Sequence, residues 1–309
     1  MNKKIFFISL ISTALLAGQA SANLLVYDGF LAGGDNPDTS AGEYQSEPGS
    51  TDGTDNDSIM GQGPNTIGFT DSWVGASGAP GNMNVGSYPR INNTGLNYTD
   101  GNGLSLVTQD GAVEIFRSSE FTSARSISRN LSGVTTSSDG FWMSTLIQFS
   151  EGSGGRLGFE TSVGGSSGRF HEIGFTVDGN LVVGSDSTGL NISQTTYAAN
   201  TTHFIVANFK SGAFGDRFID VWMNPNDLTN LGTPDFEDLA GDQATTTTQG
   251  DQIRIQTEDT FEGFSFIVDE IRIGDAMEDV LVPIPEPGTY AAIFGFLALG
   301  IVFWVRRRK

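Results

Sequence analysis

Alternation of apolar and polar residues is the feature of this sequence that most restricts its fold. The clearest case runs from Phe141 to Phe149, where every second residue is apolar apart from Thr145. A period of two places successive side chains on opposite faces of an extended strand, so one face of this segment is expected to be buried. The region between residues 23 and 283 contains no long stretch with a 3.6-residue period, which argues against a helical bundle.

The same pattern predicts a series of short strands. The dipeptide Asp178-Gly179 is typical of a tight hairpin turn between two of them. The predicted strands are Leu24–Tyr27, Phe69–Val74, Leu104–Thr108, Val113–Arg117, Phe141–Phe149, His171–Val177, Leu181–Val183, His203–Phe209, Phe218–Asn224, Ile253–Thr257 and Phe264–Ile273. Short strands separated by glycine-rich turns predict an all-β fold, a two-sheet antiparallel sandwich of jelly-roll type. Their number suits one jelly roll better than two immunoglobulin-sized units.

Residues 32–65 are rich in Gly, Asp, Ser and Pro and contain few large apolar side chains. This composition predicts a long loop that is partly disordered. Asp52, Asp55 and Asp57 lie in it, and calcium is bound by oxygen ligands on flexible acidic loops, so these aspartates form a calcium-site hypothesis. Their spacing differs from that of the helix-loop-helix calcium motif. A solvated acidic loop is therefore the alternative interpretation.

The beginning of the chain indicates export. Lys3 and Lys4 precede an apolar stretch over residues 5–17, and small residues precede Asn23. This layout is typical of a secretory signal peptide, which we predict over residues 1–22. The chain contains no cysteine, so its exported domain, predicted over residues 23–283, is expected to be held together by its core without disulfides.

The C-terminal tail, residues 284–309, has three parts. The triplet Pro285-Glu286-Pro287 is followed by an uncharged, largely apolar run over about residues 288–305 and then by the basic cluster Arg306, Arg307, Arg308 and Lys309. An apolar run of this length just suffices to span a bilayer as a helix. Basic residues that flank a span stay on the cytoplasmic side. We therefore predict one C-terminal transmembrane helix, with the bulk of the chain outside.

This tail resembles the PEP-CTERM sorting signal of Gram-negative, often biofilm-forming bacteria. The resemblance rests on the proline–glutamate triplet, the apolar run and the basic end, in that order. It implies that an exosortase, a membrane transpeptidase-like enzyme, recognises the triplet and removes the helix. Glu286 and its flanking prolines are then a recognition element for another enzyme. The alternative is a plain tail anchor, in which the prolines merely stop a strand and start a helix.

The region from Asn23 to Pro283 is strongly acidic. Its 261 residues contain ten Lys and Arg against 35 Asp and Glu, a formal charge of −25, and Lys210 is its one lysine. Such a surface repels nucleic acid and anionic lipid headgroups, so neither is expected as a partner. It suits a soluble protein in salty surroundings or one that takes up divalent cations, and the composition does not choose between the two.

A second, looser resemblance is carried by two late segments. They read Phe218-Ile-Asp-Val-Trp-Met-Asn-Pro225 and Phe266-Ile-Val-Asp-Glu-Ile-Arg-Ile-Gly274. They are similar to strands of the concanavalin-A/laminin-G-like jelly rolls of exported bacterial proteins. Many members of that superfamily bind glycans or calcium, and some cleave polysaccharides. A likeness of fold transfers none of these functions by itself.

The sequence offers no recognisable catalytic motif. Retaining glycosidases need two carboxylates about 5 to 5.5 Å apart, a spacing that same-face residues of one strand can supply. Asp269 and Glu270 are adjacent, so we expect them to point to opposite faces, with Glu270 paired to Arg272. His171 and His203 are the two histidines, and both are interpreted as surface imidazoles at strand starts. The sequence offers neither cysteines nor paired histidines as ligands for zinc. We therefore predict no catalytic residues.

One strand face has the composition of a sugar-binding surface. On the predicted strand Phe218–Asn224, apolar residues occupy one face, whereas Asp220, Trp222 and Asn224 lie on the other. Sugar recognition combines ring stacking with hydrogen bonds to hydroxyl groups. Trp142 likewise lies off the apolar stripe of its strand, so we predict these four side chains as a glycan-contact site. The alternative is that a further layer of chain covers this face and makes both tryptophans packing residues.

Together these features predict an exported cell-surface or extracellular-matrix protein that is sorted by its tail. Its expected role is structural or adhesive, glycan-binding and non-enzymatic. The expected partners are an exosortase-type enzyme, an extracellular polysaccharide and the membrane, with calcium as the one cofactor hypothesis. The alternative is a polysaccharide-active enzyme of the concanavalin-like superfamily with an unrecognised carboxylate site.

Overall fold

A computed structural model of the chain describes residues 24–33, 39–44, 59, 61–75, 89–106, 108–116, 126–132, 140–160, 169–185, 189–211, 217–240, 252–258 and 265–281. These residues form an almost entirely β structure of two antiparallel sheets, as the alternation predicts. The predicted signal peptide, the aspartates of the calcium hypothesis and the sorting tail lie outside the described residues.

Fifteen strands and one short helix are described, together with a 3₁₀ turn at Thr39–Ala41. In chain order they are β1 Leu24–Asp28, β2 Phe69–Gly75, β3 Pro89–Asn92, β4 Ala112–Phe116, β5 Ser126–Leu131, β6 Phe141–Phe149, β7 Gly154–Glu160, β8 Arg169–Phe175, β9 Asn180–Ser185, β10 Gly189–Thr196, β11 His203–Ser211, β12 Arg217–Met223, β13 Phe236–Ala240, β14 Gln252–Glu258, β15 Ser265–Gly274 and α1 Met277–Leu281.

The strands divide into two sheets. The first sheet has the order β13-β12-β11-β6-β15-β4-β3, and β1 pairs additionally with β15. The second sheet has the order β10-β9-β8-β7-β14-β5-β2. The last two strands of the chain lie inside the sheets, between strands from earlier in the sequence: β14 lies between β7 and β5, and β15 lies between β6 and β4. This non-local pairing is typical of a sandwich rather than a row of local hairpins.

Most predicted strands are confirmed, but one is wrong. In the segment Leu104–Thr108, Ser105 makes only an isolated bridge to Thr99, and Leu106 is a buried loop residue. The sequence analysis missed β3, β5, β7, β10 and β13. Glycines and polar residues dominate β7, and β5 carries an inward-facing arginine, Arg129, so neither shows the apolar alternation on which the prediction relied.

The main core lies between the two sheets. The first sheet contributes the predicted apolar faces of β6 and β12, including Met143, Ile147 and Val221, all fully buried. The second sheet contributes residues such as Ile173 and Ile255, also fully buried. Apolar burial of this kind contributes about 25 cal/mol per Å². It is the main force that holds the two layers together in a chain without disulfides.

A second apolar cluster covers the outer face of the first sheet. It joins outward-facing strand residues to residues from two loops and from α1. Its buried members are Leu96, Leu106, Leu146, Phe204, Val206, Trp222, Leu228, Val280 and Leu281. The first sheet is therefore covered on both faces, by the second sheet inside and by loops and α1 outside.

A buried ion pair connects the two sheets. Asp28 at the end of β1 accepts a hydrogen bond from Arg129 Nη1 on β5 at 3.2 Å, and both side chains are at most 2% exposed. Arg129 also donates to the carbonyl oxygens of Pro64 and Asp71 and to the hydroxyl of Thr66. Burial raises the pKa of Asp28 to about 6 against the opposing effect of the Arg129 guanidinium. The pair is thus desolvated and depends on this hydrogen bonding.

Tyr44 and Trp73 complete the network around this ion pair. The Tyr44 hydroxyl donates to Asp28 Oδ2 and accepts hydrogen bonds from Arg129 Nη1 (2.8 Å) and Trp73 Nε1 (3.0 Å). Tyr44 belongs to the predicted loop 32–65, yet its side chain is fully buried. The described part of that loop is therefore fixed to the core at this point.

Candidate functional site

The structure places the predicted glycan-contact residues of β12 in internal contacts. Asp220 Oδ2 lies 2.9 Å from Lys210 Nζ on β11. Asn224 adopts a positive φ of 50°, which asparagine tolerates better than most residues. Its Oδ1 accepts a hydrogen bond from the Phe204 backbone at 2.9 Å, and its Nδ2 donates to His203 Nδ1 at 3.1 Å. These side chains hold β11 and β12 together.

The two tryptophans pack on one another. The Trp142 and Trp222 rings stack with centroids 5.4 Å apart and an interplanar angle of 25°. Trp222 is only 7% exposed, and its Nε1 donates to the Gly232 carbonyl oxygen at 3.1 Å. A sugar-stacking ring needs an open face and a free edge. The geometry of Trp222 corresponds to the packing alternative, whereas Trp142 is half-buried, and glycan contact by these residues stays a prediction.

His203 is buried and is not the surface imidazole that the sequence suggests. It is 3% exposed, and its ring packs against Phe149 and Tyr197. Its Nε2 lies 2.8 Å from the Ala198 carbonyl oxygen, and its Nδ1 faces the Asn224 amide. Since the amide donates to Nδ1, the neutral tautomer with a proton on Nε2 satisfies both nitrogens. Burial lowers the pKa of His203 below its usual range.

Acidification is expected to destabilise the fold through His203. The unfolded state binds a proton below about pH 6.5, whereas the buried imidazole resists it, so stability falls as pH decreases in this window. The wild-type protein should lose up to about 1.4 kcal/mol per pH unit relative to His203→Gln. Denaturant unfolding of both proteins between pH 7 and 5 measures the difference. The raised pKa of Asp28 favours the folded state at low pH, but it contributes equally to the wild type and the variant and so cancels in the comparison. Parallel pH profiles of the two proteins would contradict the assignment of His203 as a buried neutral imidazole.

The acidic pair on β15 is enclosed by the fold. The expected Glu270–Arg272 ion pair is confirmed, with Arg272 Nη2 2.7 Å from Glu270 Oε2. Asp269 accepts backbone hydrogen bonds from Leu96 and Glu270 at 2.7 Å each. A β-bulge lies between Asp269 and Arg272, and Glu270 has a φ of +54°. All three side chains on β15 are fully buried, so they do not face a groove.

The two carboxylates influence one another through burial and charge. Alternation predicts that Asp269 and Glu270 point to opposite faces. In the bulged strand, burial and the neighbouring Glu270 raise the pKa of Asp269 well above its usual range. The two groups belong to one buried polar cluster that fixes β15 to the surrounding loops.

The outer face of the second sheet carries a recessed layer of polar side chains. They project from β5, β7, β8 and β14 on the side away from the core. The polar layer consists of Ser126, Ser128, Arg156, Glu172, Arg254 and Gln256, each at most 9% exposed. Polar side chains on an ordinary solvated sheet face are mostly exposed. This low exposure distinguishes the layer from a solvated surface.

Neighbouring strands bring these side chains together. Arg156 Nη1 lies 2.7 Å from Glu172 Oε2, and Arg254 Nη2 donates to the Ser126 hydroxyl at 2.9 Å. In the strand register, Gln256 is opposite both Arg156 and Ser126. A guanidinium group forms a planar fork that matches a carboxylate, and amide and hydroxyl groups match sugar hydroxyls. The layer therefore combines groups that suit an acidic sugar.

The absence of a side chain at Gly158 leaves room for the Glu172 side chain of this layer. A Cβ at this position would lie 2.9 Å from Cγ of Glu172, and Gly158 is opposite Arg254 in the register of β7 and β14. A larger residue would displace the Glu172 side chain. The layer was not predictable from apolar alternation, because β5 and β7 do not show it.

The described residues contain no cluster of three or more His, Asp or Glu side chains suited to a metal ion. Asp52, Asp55 and Asp57 fall outside those residues, so the calcium hypothesis stays a prediction. Within the described part of the chain, no helix is long and apolar enough to cross a membrane. The predicted span over about 288–305 lies beyond that part.

The fold of this chain is distantly similar to those of solved structures that include two polysaccharide lyases and a sialidase. The chain is similar to an endo-β-1,4-glucuronan lyase from the fungus Trichoderma reesei at 15% identity and a TM-score of 0.39, covering 62% of this chain and 92% of the lyase. It is similar to the PL-14 alginate lyase from Aplysia kurodai at 12% identity and a TM-score of 0.36, covering 55% of this chain and 84% of the lyase. It is similar to the Trypanosoma rangeli sialidase at 9% identity and a TM-score of 0.37, covering 55% of this chain and 26% of the sialidase. Likenesses this distant do not bear on the activity of this chain.

Residues 283–309 match the PEP-CTERM protein-sorting motif. A comparison with curated proteins finds none that matches the chain. The matched residues include the triplet Pro285-Glu286-Pro287, the apolar run and the basic end. The chain thus carries a sorting motif that implies export and membrane-anchored sorting in a Gram-negative bacterium, with recognition by an exosortase.

Proposed function

We propose that this protein is a non-enzymatic structural or adhesive component of the cell envelope or extracellular polysaccharide matrix, and that it contacts acidic glycans through its polar layer. The observation that carries the proposal is the position of that layer. It lies on the outer face of the second sheet, whereas α1 lies on the outer face of the first. The sorting motif begins two residues after α1 ends.

The two outer faces have different surroundings in a tail-anchored protein. The face that bears α1 is the one from which the chain continues into its tail. The polar layer lies on the opposite side of the sandwich, with two packed sheets between them. In a protein held by its tail, this side of the sandwich therefore faces the exterior, while the side chains of the polar layer are themselves recessed and at most 9% exposed. On the tail side, Trp222 is covered by loops and packs on the half-buried Trp142.

Acidic sugars suit the polar layer through short contacts and not through long-range attraction. The exported region has a formal charge of −25, which repels a polyanion at long range. Recognition then depends on short contacts from the guanidinium groups of Arg254 and Arg156, the second of which is also paired with Glu172. We expect modest affinity per site, which a surface or matrix protein raises by displaying many copies.

The polar layer lacks the paired carboxylates of a retaining glycosidase. Glu172 is its one carboxylate, and it is engaged by Arg156. Retaining enzymes place two carboxyl groups about 5 to 5.5 Å apart across the scissile bond. This composition favours binding over hydrolysis by that mechanism. The polysaccharide-active alternative is tested by product formation in the same experiment.

Replacement of Arg254 is expected to weaken binding of an acidic oligosaccharide by about 10- to 100-fold, the loss typical of a charged hydrogen bond. The full chain in detergent micelles is titrated with oligogalacturonate and with a neutral oligoglucan of equal length. The variants are Arg254→Gln and the control Lys210→Gln, which removes a cation from the first sheet.

The expected result is selective binding of the acidic oligosaccharide by the wild-type protein and the control, and weak binding by Arg254→Gln. Equal binding by all three proteins, or none by the wild type, would contradict the proposal. Shortened oligosaccharides in the reaction mixture would favour the enzymatic alternative.

A further inference from the structure

The short helix α1 fixes the chain just before the sorting motif. Val280 is fully buried and Leu281 is 6% exposed, and both belong to the outer cluster on the first sheet. The Ser144 hydroxyl on β6 donates to the Val280 carbonyl oxygen at 2.7 Å. A five-residue helix has no stability of its own. Its position therefore depends on these contacts with the sandwich.

The start of α1 is fixed as well. The Ala276 N–H donates to Asp279 Oδ2 at 3.0 Å. A Cβ on Gly274 would lie 2.4 Å from Cβ of Asp279, so this close approach requires glycine. The preceding strand β15 pairs with β1, β4 and β6. Release of α1 from the sheet would accordingly end at Gly274 and leave the sandwich intact.

The docked helix limits how far the sorting triplet reaches. Pro285 follows Leu281 by four residues, which span at most about 14 Å when extended. A compact body of about 260 residues has a radius of gyration of about 18 Å. The chain between the end of α1 and the triplet is thus shorter than this dimension of the body. If α1 is released, the eleven residues from Gly274 to Pro285 reach about 38 Å.

We propose that α1 positions the sorting triplet and controls its access to the processing enzyme. With α1 docked on the first sheet, the folded body restricts approach of the membrane enzyme to Pro285-Glu286-Pro287. Release of α1 extends the tether and exposes the triplet. The positioning residues for this reaction are Val280, Leu281 and Ser144, since they hold α1 on the first sheet. The inference rests on recognition of the motif by an exosortase.

The test compares processing of full-length protein in its native host or in a host that supplies the cognate enzyme. One variant undocks α1 by combining Val280→Ser with Leu281→Ser. A second keeps α1 docked and inserts eight Gly and Ser residues between Val282 and Pro283, which lengthens the tether outside the contacts of α1. Glu278→Gln, an exposed position on α1, is the matched control. Pulse labelling with intact-mass analysis gives the rate at which the tail is removed.

Both the undocked and the lengthened protein should be processed severalfold faster than the parent, with no further gain when the two changes are combined. Circular dichroism and thermal unfolding of each variant check that the sandwich is retained. A lengthened tether that leaves the rate unchanged would overturn the proposal, as would additive effects of the two changes. Glu286→Ala should block processing in every background; persistent processing there would overturn the premise that the motif is read.

Discussion

Arg129→Met is expected to lower the free energy of unfolding by about 3–5 kcal/mol, because it leaves a buried carboxylate without its ionic partner. Asp28 is fully buried and would retain only the Tyr44 hydroxyl and the Phe30 backbone as donors. Methionine fills similar volume, so the effect isolates the lost charge and hydrogen bonds. Equilibrium denaturation in urea measures the change.

A matched arginine on the surface provides the control. Arg90 pairs with Glu114 at 2.9 Å, and its side chain is 44% exposed. Its partner Glu114 is only 8% exposed but also accepts a hydrogen bond from the Ser265 hydroxyl, so we expect Arg90→Met to cost less than Arg129→Met. Equal losses for the two variants would contradict a special role of the Asp28–Arg129 pair in joining the sheets.

Trp222→Ala is expected to cost about 3–5 kcal/mol of stability, the usual loss for a large aromatic side chain in a core. The substitution removes the stacking on Trp142 and leaves the Gly232 carbonyl without its donor. Glycan affinity, corrected for the folded fraction, should stay at the wild-type value. Thermal and chemical unfolding with parallel glycan titration separates the two roles.

Ile192→Ala serves as the comparison for Trp222→Ala. Ile192 lies on β10 and is 52% exposed, so its truncation should change stability by less than about 0.5 kcal/mol. If Trp222→Ala removed glycan binding while costing under about 1 kcal/mol, the packing assignment would be wrong and the sugar-contact prediction would be supported.

The alternation of residues predicts which face of a strand each side chain occupies, and this part of the fold was foreseen well. On β12, Val221 lies in the core and Trp222 on the opposite face, as expected. Periodicity does not reveal whether that opposite face is open. Its cover comes from residues distant in the sequence, such as Leu96, Leu228 and Val280. No local pattern links those residues to Trp222.

The polar contacts were harder to foresee, since their partners lie far apart in the chain. Asp28, Tyr44 and Arg129 meet only once β1 and β5 have taken their places in different sheets. The polar layer has the same origin, because Arg156 and Arg254 become neighbours through pairing of β7 with β14. The adjacent pair Glu270 and Arg272 was predictable because both partners lie on one strand.

The most direct test of the account is a map of where an acidic oligosaccharide contacts the folded protein. Backbone amide chemical shifts of the full chain in micelles are recorded with and without oligogalacturonate. We expect the largest shifts on β5, β7 and β14, around Arg156 and Arg254, with little change around Trp222. Shifts concentrated on β11 and β12, or none at saturating ligand, would contradict it.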